Sequence, residues 1–193
     1  MNETKTQRPV QTLAMAAMLM AVGFILPFFT GQIPQIGGML CPLHLPVLLC
    51  GLLCGWKYGL AVGFVLPLLR SATLGMPPMF PTGIAMAFEL AAYGFLAGFL
   101  YARSRWQCVI SLYRSMIAAM VSGRMVWAAV QIVLLGLGDS GFTWQMFLAG
   151  AFLNAIPGIV LQLILIPAVM IALNRTGLVQ FGRRAAEKQK VAE

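Results

Sequence analysis

The stretch "HLPVLLCGLLCGWKYGLAVGFVLPLLR", residues 44–70, decides how many times the chain crosses a bilayer. Its only ionisable side chains besides cysteine and tyrosine are His44, Lys57 and Arg70. Read as one long tilted helix, it leaves a protein of five spans. Broken at "GWKYG", residues 55–59, it gives two short helices and six spans.

The rest of the chain makes the bilayer the right frame. Of 193 residues, 60% are hydrophobic and 9% charged, and the mean hydropathy is +0.87. Soluble domains sit near about 45–50% apolar and about 25% charged. Apolar runs of roughly 20 residues recur, the length a helix needs to cross ~30 Å of hydrocarbon. Backbone polar groups must be satisfied inside lipid, and no alternating ten-residue pattern suggests a barrel. The expected fold is therefore an all-α membrane protein, one bundle over residues 1–193. Its helices are expected near 11–29, 44–56, 58–74, 81–101, 112–137 and 144–173, with a tail over 174–193.

Charge chooses between five and six spans. With six spans and a cytoplasmic N-terminus, the inner segments carry Lys5, Arg8, Lys57, Arg103, Arg105, Arg114, Arg175, Arg183, Arg184, Lys188 and Lys190. The outer loops then carry no basic residue, and Asp139 lies in one of them. Five spans would split this set across the membrane. The positive-inside rule thus selects six spans with both termini cytoplasmic. It also accounts for the net charge of +8 without a nucleic-acid partner. The first 29 residues have a signal-peptide outline, but Pro27, Phe28 and Phe29 stand where a cleavage site would fall, so they read as a retained helix. The tail "RRAAEKQKVAE" reads as a solvated end able to touch anionic membrane lipid.

Small residues recur at four-residue spacing: Ala17 and Ala21, Gly51 and Gly55, Gly59 and Gly63, then Ala87, Ala91, Gly94 and Gly98. This spacing lets helix backbones approach closely. Most of these pairs are expected to pack within the bundle. Helix 1, with a face almost only of Ala and Met, is the expected exception.

Few groups at membrane depth can carry chemistry. Removing the inner basic residues leaves Arg70 and Arg124, and removing terminal and loop acids leaves Glu89. With His44, these are the ionisable residues that are expensive in lipid and normally face a bundle interior or cavity. At 1.5 Å rise per residue, Arg124 lies ~15 Å from the inner surface and Glu89 ~12 Å from the outer one. An ion pair is geometrically possible, serving either a site or merely helix register. Arg124, Trp127 and Gln131 share one face of helix 5, and Thr82, Met86, Glu89 and Tyr93 share one of helix 4. Asn154 and Gln162 lie on helix 6 near Pro157, while His44 opens helix 2 and Trp144 opens helix 6. If Glu89 balances Arg124, Arg70 is left either to meet an incoming anion or to snorkel to the headgroups.

Several activities are excluded by what is missing. There is no GxxxxGK[ST], HExxH or GxSxG, and a single intramembrane carboxylate is too few for paired acid–base catalysis. Cys41, His44, Cys50 and Cys54 lack carboxylates and paired CxxC spacing, so no metal site is expected. The residues favour binding over catalysis, and no catalytic residue is assigned.

The segments "HLPVLLCGLLCGWKYGLAVGFVLPLLRSATLGMPPMFP", "AMAFELAAYGFLAGFLY" and "AAMLMA" carry a family likeness. Together with the size, six helices and basic tail, the chain resembles the substrate-binding S components of energy-coupling factor (ECF) vitamin transporters, in their riboflavin/pantothenate-like branch. The resemblance implies a non-enzymatic subunit of a bacterial cell membrane that captures a small vitamin near the outer surface. Pantothenate or another carboxylated vitamin is the expected ligand. "TGQIPQIGGMLCP" would cover the site, and Arg70, His44, Glu89, Arg124, Trp127, Gln131 and Asn154 are the candidate substrate contacts. The resemblance implies no cofactor in this chain, ATP being hydrolysed by partner subunits: a T membrane subunit and two ATPases. Ala17 and Ala21 correspond to the family's Ala-x-x-x-Ala docking strip. The alternatives are a stand-alone proton-coupled secondary transporter using Glu89, or a membrane assembly protein.

Overall fold

The computed structural model describes residues 3–29, 42–104, 108–136 and 156–175. Glycine punctuates it. Gly55 takes φ +94°, a conformation that L-residues rarely adopt, and so separates α2 (His44–Cys54) from α3 (Trp56–Leu74) by a single residue. The break falls within the stretch that charge had selected for it. Gly55 is thus a turn residue, not the packing residue its spacing from Gly51 suggested; a Cβ there would meet nothing within 4 Å.

α3 ends in the same way at Gly75, φ +68°, whose N–H donates to the Ser71 carbonyl at 3.0 Å. The Ser71 hydroxyl donates to the Pro77 carbonyl at 2.6 Å, tying the following loop back onto α3. A π-helical turn over Met79–Gly83, non-helical at Phe80, then leads into α4 (Ile84–Arg103). The remaining helices are α1 (Glu3–Phe29), α5 (Val109–Gly136) and α6 (Ile156–Arg175). No strand occurs among the described residues. The fold is an all-α membrane protein.

The sequence placed helix 6 from residue 144, but residues 144–155, with Trp144 and Asn154, lie outside the described residues. Four helical segments are long and apolar enough to cross a bilayer: Val10–Phe28, Met79–Arg103, Val109–Leu135 and Ile156–Arg175. α2, with 11 residues, extends only about 16 Å. It works as half of a hairpin with α3.

α4 is the axis of the bundle. It packs on α2, α3 and α5, while α1 lies on α2 and α3, and α6 touches α5 and α2. Lipid is as apolar as leucine, so helices associate through close packing rather than through escape from water. Here the closest packing is glycine on glycine. A Cβ on Gly59 would lie 2.6 Å from both Gly51 Cα and the Gly94 carbonyl oxygen. One on Gly51 or Gly94 would overlap the facing backbone outright, and Gly63 and Gly98 meet Leu90 and Trp56 backbone in the same way. Around this contact sit fully buried Val47, Leu48, Leu66, Leu90, Leu112 and Met116.

The chain reverses at Gly55, at residues 75–83 and between α4 and α5. Gly55, the end of α4 and the start of α5 therefore share one end of the bundle. The start of α2 and residues 75–83 share the other.

Candidate functional site

At the second end of the bundle, three helices bring their ionisable residues to one point. Glu89 lies in α4 with Tyr93 one turn on, and the Tyr93 hydroxyl donates to Glu89 Oε1 at 3.1 Å. Arg124 reaches the same oxygen from α5, with Nη1 at 3.1 Å. His44, the first residue of α2, places Nε2 3.5 Å from it. The imidazole also lies against the Tyr93 ring, centroids 5.0 Å apart and tilted by 60°. One carboxylate oxygen gathers all three partners.

Burial makes this arrangement expensive to disturb. Glu89 and His44 are each 2% exposed, and the Arg124 side chain is 11% exposed. A charge-assisted pair at this distance offsets much of the desolvation of both partners, whereas either charge alone would be left without compensation. The sequence allowed this pair on depth alone; the structure forms it. Neither ring nitrogen of His44 has a hydrogen-bond partner among the described residues. The same holds for Oε1 of Gln131, 6% exposed and two turns beyond Arg124 on α5. Buried polar atoms of this kind normally find a partner, in protein, water or ligand.

Two residues outside the candidate set help build the cluster. Tyr93 was placed on the face of Glu89 but given no role, although its i, i+4 spacing from Glu89 is the signal for the bond it makes. Gly123 was not singled out. A Cβ there would stand 2.7 Å from Tyr93 Cε1, so its missing side chain admits the ring that positions Glu89. Nothing in the sequence marks that glycine except its place beside Arg124.

Arg70 does not join this cluster. It is 3% exposed, so it neither snorkels to headgroups nor stands in an open loop. Its Nη1 donates to the Phe24 carbonyl of α1 at 2.7 Å, and its guanidinium carbon sits 5.4 Å from the centre of the Phe28 ring. No carboxylate among the described residues meets it. Trp127 is half-buried on α5. On the α4 face proposed from the sequence, Thr82 is exposed and belongs to the turn before the helix. Gln162 of α6 is 3% exposed. Among the described residues, no three His, Cys, Asp or Glu side chains converge as a metal ion would require.

On α1, Ala16 is buried while Ala17 and Ala21 are exposed. Ala17 and Ala21 line a groove of about 380 Å3 with Met20, Phe24, Ile25, Leu69 and Thr73.

The fold and the site together define an integral membrane protein that buries Glu89, Arg124 and His44 together in its interior and holds Arg70 apart from them. A family model described as "ECF transporter, substrate-specific component" matches residues 11–170, and the chain belongs to that family. It is therefore a substrate-specific subunit of a transporter, not a member of an enzyme class. Membership implies a small-molecule substrate and an ECF T and ATPase module as partners. The comparisons with curated proteins and with solved structures gave no match.

Proposed function

We propose that this S component captures a small carboxylated vitamin, with pantothenate the first candidate, in a bacterial cell membrane. The single observation that supports an anionic substrate is the charge balance of the interior. Glu89 is committed to Arg124 at 3.1 Å, while Arg70 is buried against a backbone carbonyl and meets no carboxylate among the described residues. Two buried cations against one anion leave one positive charge, and an unbalanced charge in an apolar interior is costly. A carboxylate supplies the missing sign, and a planar guanidinium can grip it through two hydrogen bonds. His44 and Gln131 offer further polar atoms for the uncharged part of the same molecule.

The positive-inside rule orients the bundle with both termini and the Gly55 turn in the cytoplasm, so His44, Arg70 and the 75–83 loop face outward. The T subunit docks on Ala17 and Ala21, and ATP is hydrolysed by the two ATPases, leaving this chain without a cofactor of its own. Calorimetric titration of the purified chain with pantothenate and with its uncharged amide tests the reading. The acid should bind at least about tenfold more tightly than the amide, the loss expected from removing a charged hydrogen-bond partner. Equal affinities would rule out an anion site. Binding of neither, with a different small molecule found by mass spectrometry after gentle purification, would replace the vitamin.

A further inference from the structure

The other end of the bundle holds a cavity of about 730 Å3 between the end of α4 and the start of α5, apolar over most of its wall but with two arginines in its lining. From α4 it is lined by Leu100, Arg103 and Ser104, and from α5 by Ser111, Arg114 and Ser115. The three α5 residues fall at i, i+3 and i+4, one helical face. We infer that this cavity binds the phosphate headgroup of an anionic membrane phospholipid.

Among the described residues the charge at the cavity is of one sign and meets no carboxylate. Of the five acidic residues in the chain, Glu89 is engaged by Arg124 in the interior. No described carboxylate lies within ion-pair distance of Arg103 or Arg114. The guanidinium carbon of Arg103 lies 6.0 Å from the centre of the Phe99 ring, a stacking contact that restricts its rotation. Two guanidiniums set across one cavity match the oxygens of a phosphate better than scattered lysines would.

The backbone adds a field of the same sign. The Leu112 N–H donates to the Cys108 carbonyl at 3.0 Å, closing the first turn of α5. The positive end of the α5 dipole therefore lies beside the cavity and favours an anion. The Ser115 hydroxyl already donates to the Leu112 carbonyl at 2.9 Å, so toward a ligand it acts only as an acceptor. The Ser111 hydroxyl makes no hydrogen bond to a described residue.

The rim argues for a lipid rather than a free ion. Ile110 is 71% exposed and Leu100 36% exposed, and both line the cavity. They continue the apolar surfaces of α4 and α5, along which acyl chains run while the headgroup sits among the arginines. Basic side chains near the membrane surface attract anionic headgroups before any hydrogen bond forms.

The test uses the full chain in nanodiscs and native mass spectrometry after mild detergent release, with phosphatidylglycerol and phosphatidylcholine in equal amounts. The parent should retain one phosphatidylglycerol in preference to phosphatidylcholine. The exposed pair Arg103→Gln/Arg114→Gln should lower that preference by about tenfold or more, with thermal unfolding in detergent unchanged. Lys57→Gln removes a basic residue from the same end but outside the cavity, and should leave the preference intact. Equal retention of both lipids by the parent would overturn the site. So would an unaffected double variant, or an equal loss from Lys57→Gln, which would mean diffuse attraction to a basic surface. Displacement of the lipid by millimolar inorganic phosphate alone would show a soluble-phosphate site and overturn the lipid assignment.

Discussion

α1 and α4 are both apolar enough to cross a bilayer, yet they are held in opposite ways. Half of the α4 span is buried, against 17% of the α1 span. α4 touches its neighbours backbone to backbone through Gly94 and Gly98, and it carries the one buried carboxylate among the described residues. α1 approaches the bundle at Gly23, which lies against Leu66 and Pro46, and accepts a hydrogen bond from Arg70 at the Phe24 carbonyl. Val10, Leu13, Met18, Val22 and Ile25 on its other side are exposed. Lipid gives helices no solvophobic reason to associate, and the loosely held α1 is the helix proposed to offer a face to another protein.

The sharpest way to break this contrast is to give both helices the same change. Gly94→Leu forces a side chain into the Gly59 carbonyl, and should cost more than about 4 kcal/mol, beyond the usual range for point changes. The expected outcome is loss of the monodisperse peak in size-exclusion chromatography. Ala14→Leu, on the exposed side of α1, should stay within about 0.5 kcal/mol of the parent. Comparable losses from both would mean that α1 is as firmly built in as α4.

Next in size is the pair that α4 shares with α5. Glu89→Gln leaves the buried Arg124 without its anion and should cost roughly 3–5 kcal/mol in thermal or denaturant unfolding. Replacing both, Glu89→Gln with Arg124→Met, should recover most of that loss, because an apolar isostere has nothing to compensate. A double variant no better than Glu89→Gln alone would mean the cost lies in Glu89's bonds to Tyr93 or His44.

These contacts also mark how far the sequence could be read. Apolar run length and the side on which Lys and Arg collect are properties of single segments, so six helices and the break near Gly55 were legible. Glu89 and Arg124 were legible as partners because a charge in lipid has few alternatives and their depths agreed. Gly123 was not, since its role depends on which ring faces it from another helix. What covers Arg70 was hidden for the same reason. Its place near the outer end of helix 3 left it either to meet an anion or to snorkel, whereas α1 folds over it and offers the Phe24 carbonyl. Which neighbour covers a residue is set by packing between helices, and no local pattern records it.

That position gives Arg70 two attachments to separate. Arg70→Ala should weaken binding of a carboxylated ligand by ~1.5–3 kcal/mol, the range for a hydrogen bond to a charged group. Binding of the matching amide should fall little further. Arg70→Lys keeps the charge but loses the planar fork, and should bind the acid with intermediate affinity. A variant that binds the acid as tightly as the parent would leave Arg70 as a clamp between α3 and α1 and nothing more.

The smallest effect expected on the isolated chain is on α1 itself. Ala17 and Ala21 are exposed while their neighbour Ala16 is buried, so a bulky side chain at either position points away from the bundle. Ala17→Trp and Ala21→Trp should therefore leave unfolding within about 0.5 kcal/mol of the parent, as for other surface changes. Ligand affinity should be unchanged for the same reason. Uptake in cells that carry the T and ATPase module should nevertheless be lost, because Trp holds a partner helix several ångströms off a strip that small residues otherwise let it touch. Leu13→Trp, one turn before Ala17 at a position that already bears a large side chain 58% exposed, is the matching control and should transport normally. If the tryptophans at 17 and 21 reduce ligand binding and transport together, the groove they line belongs to this bundle's own packing, and the partner helix docks elsewhere.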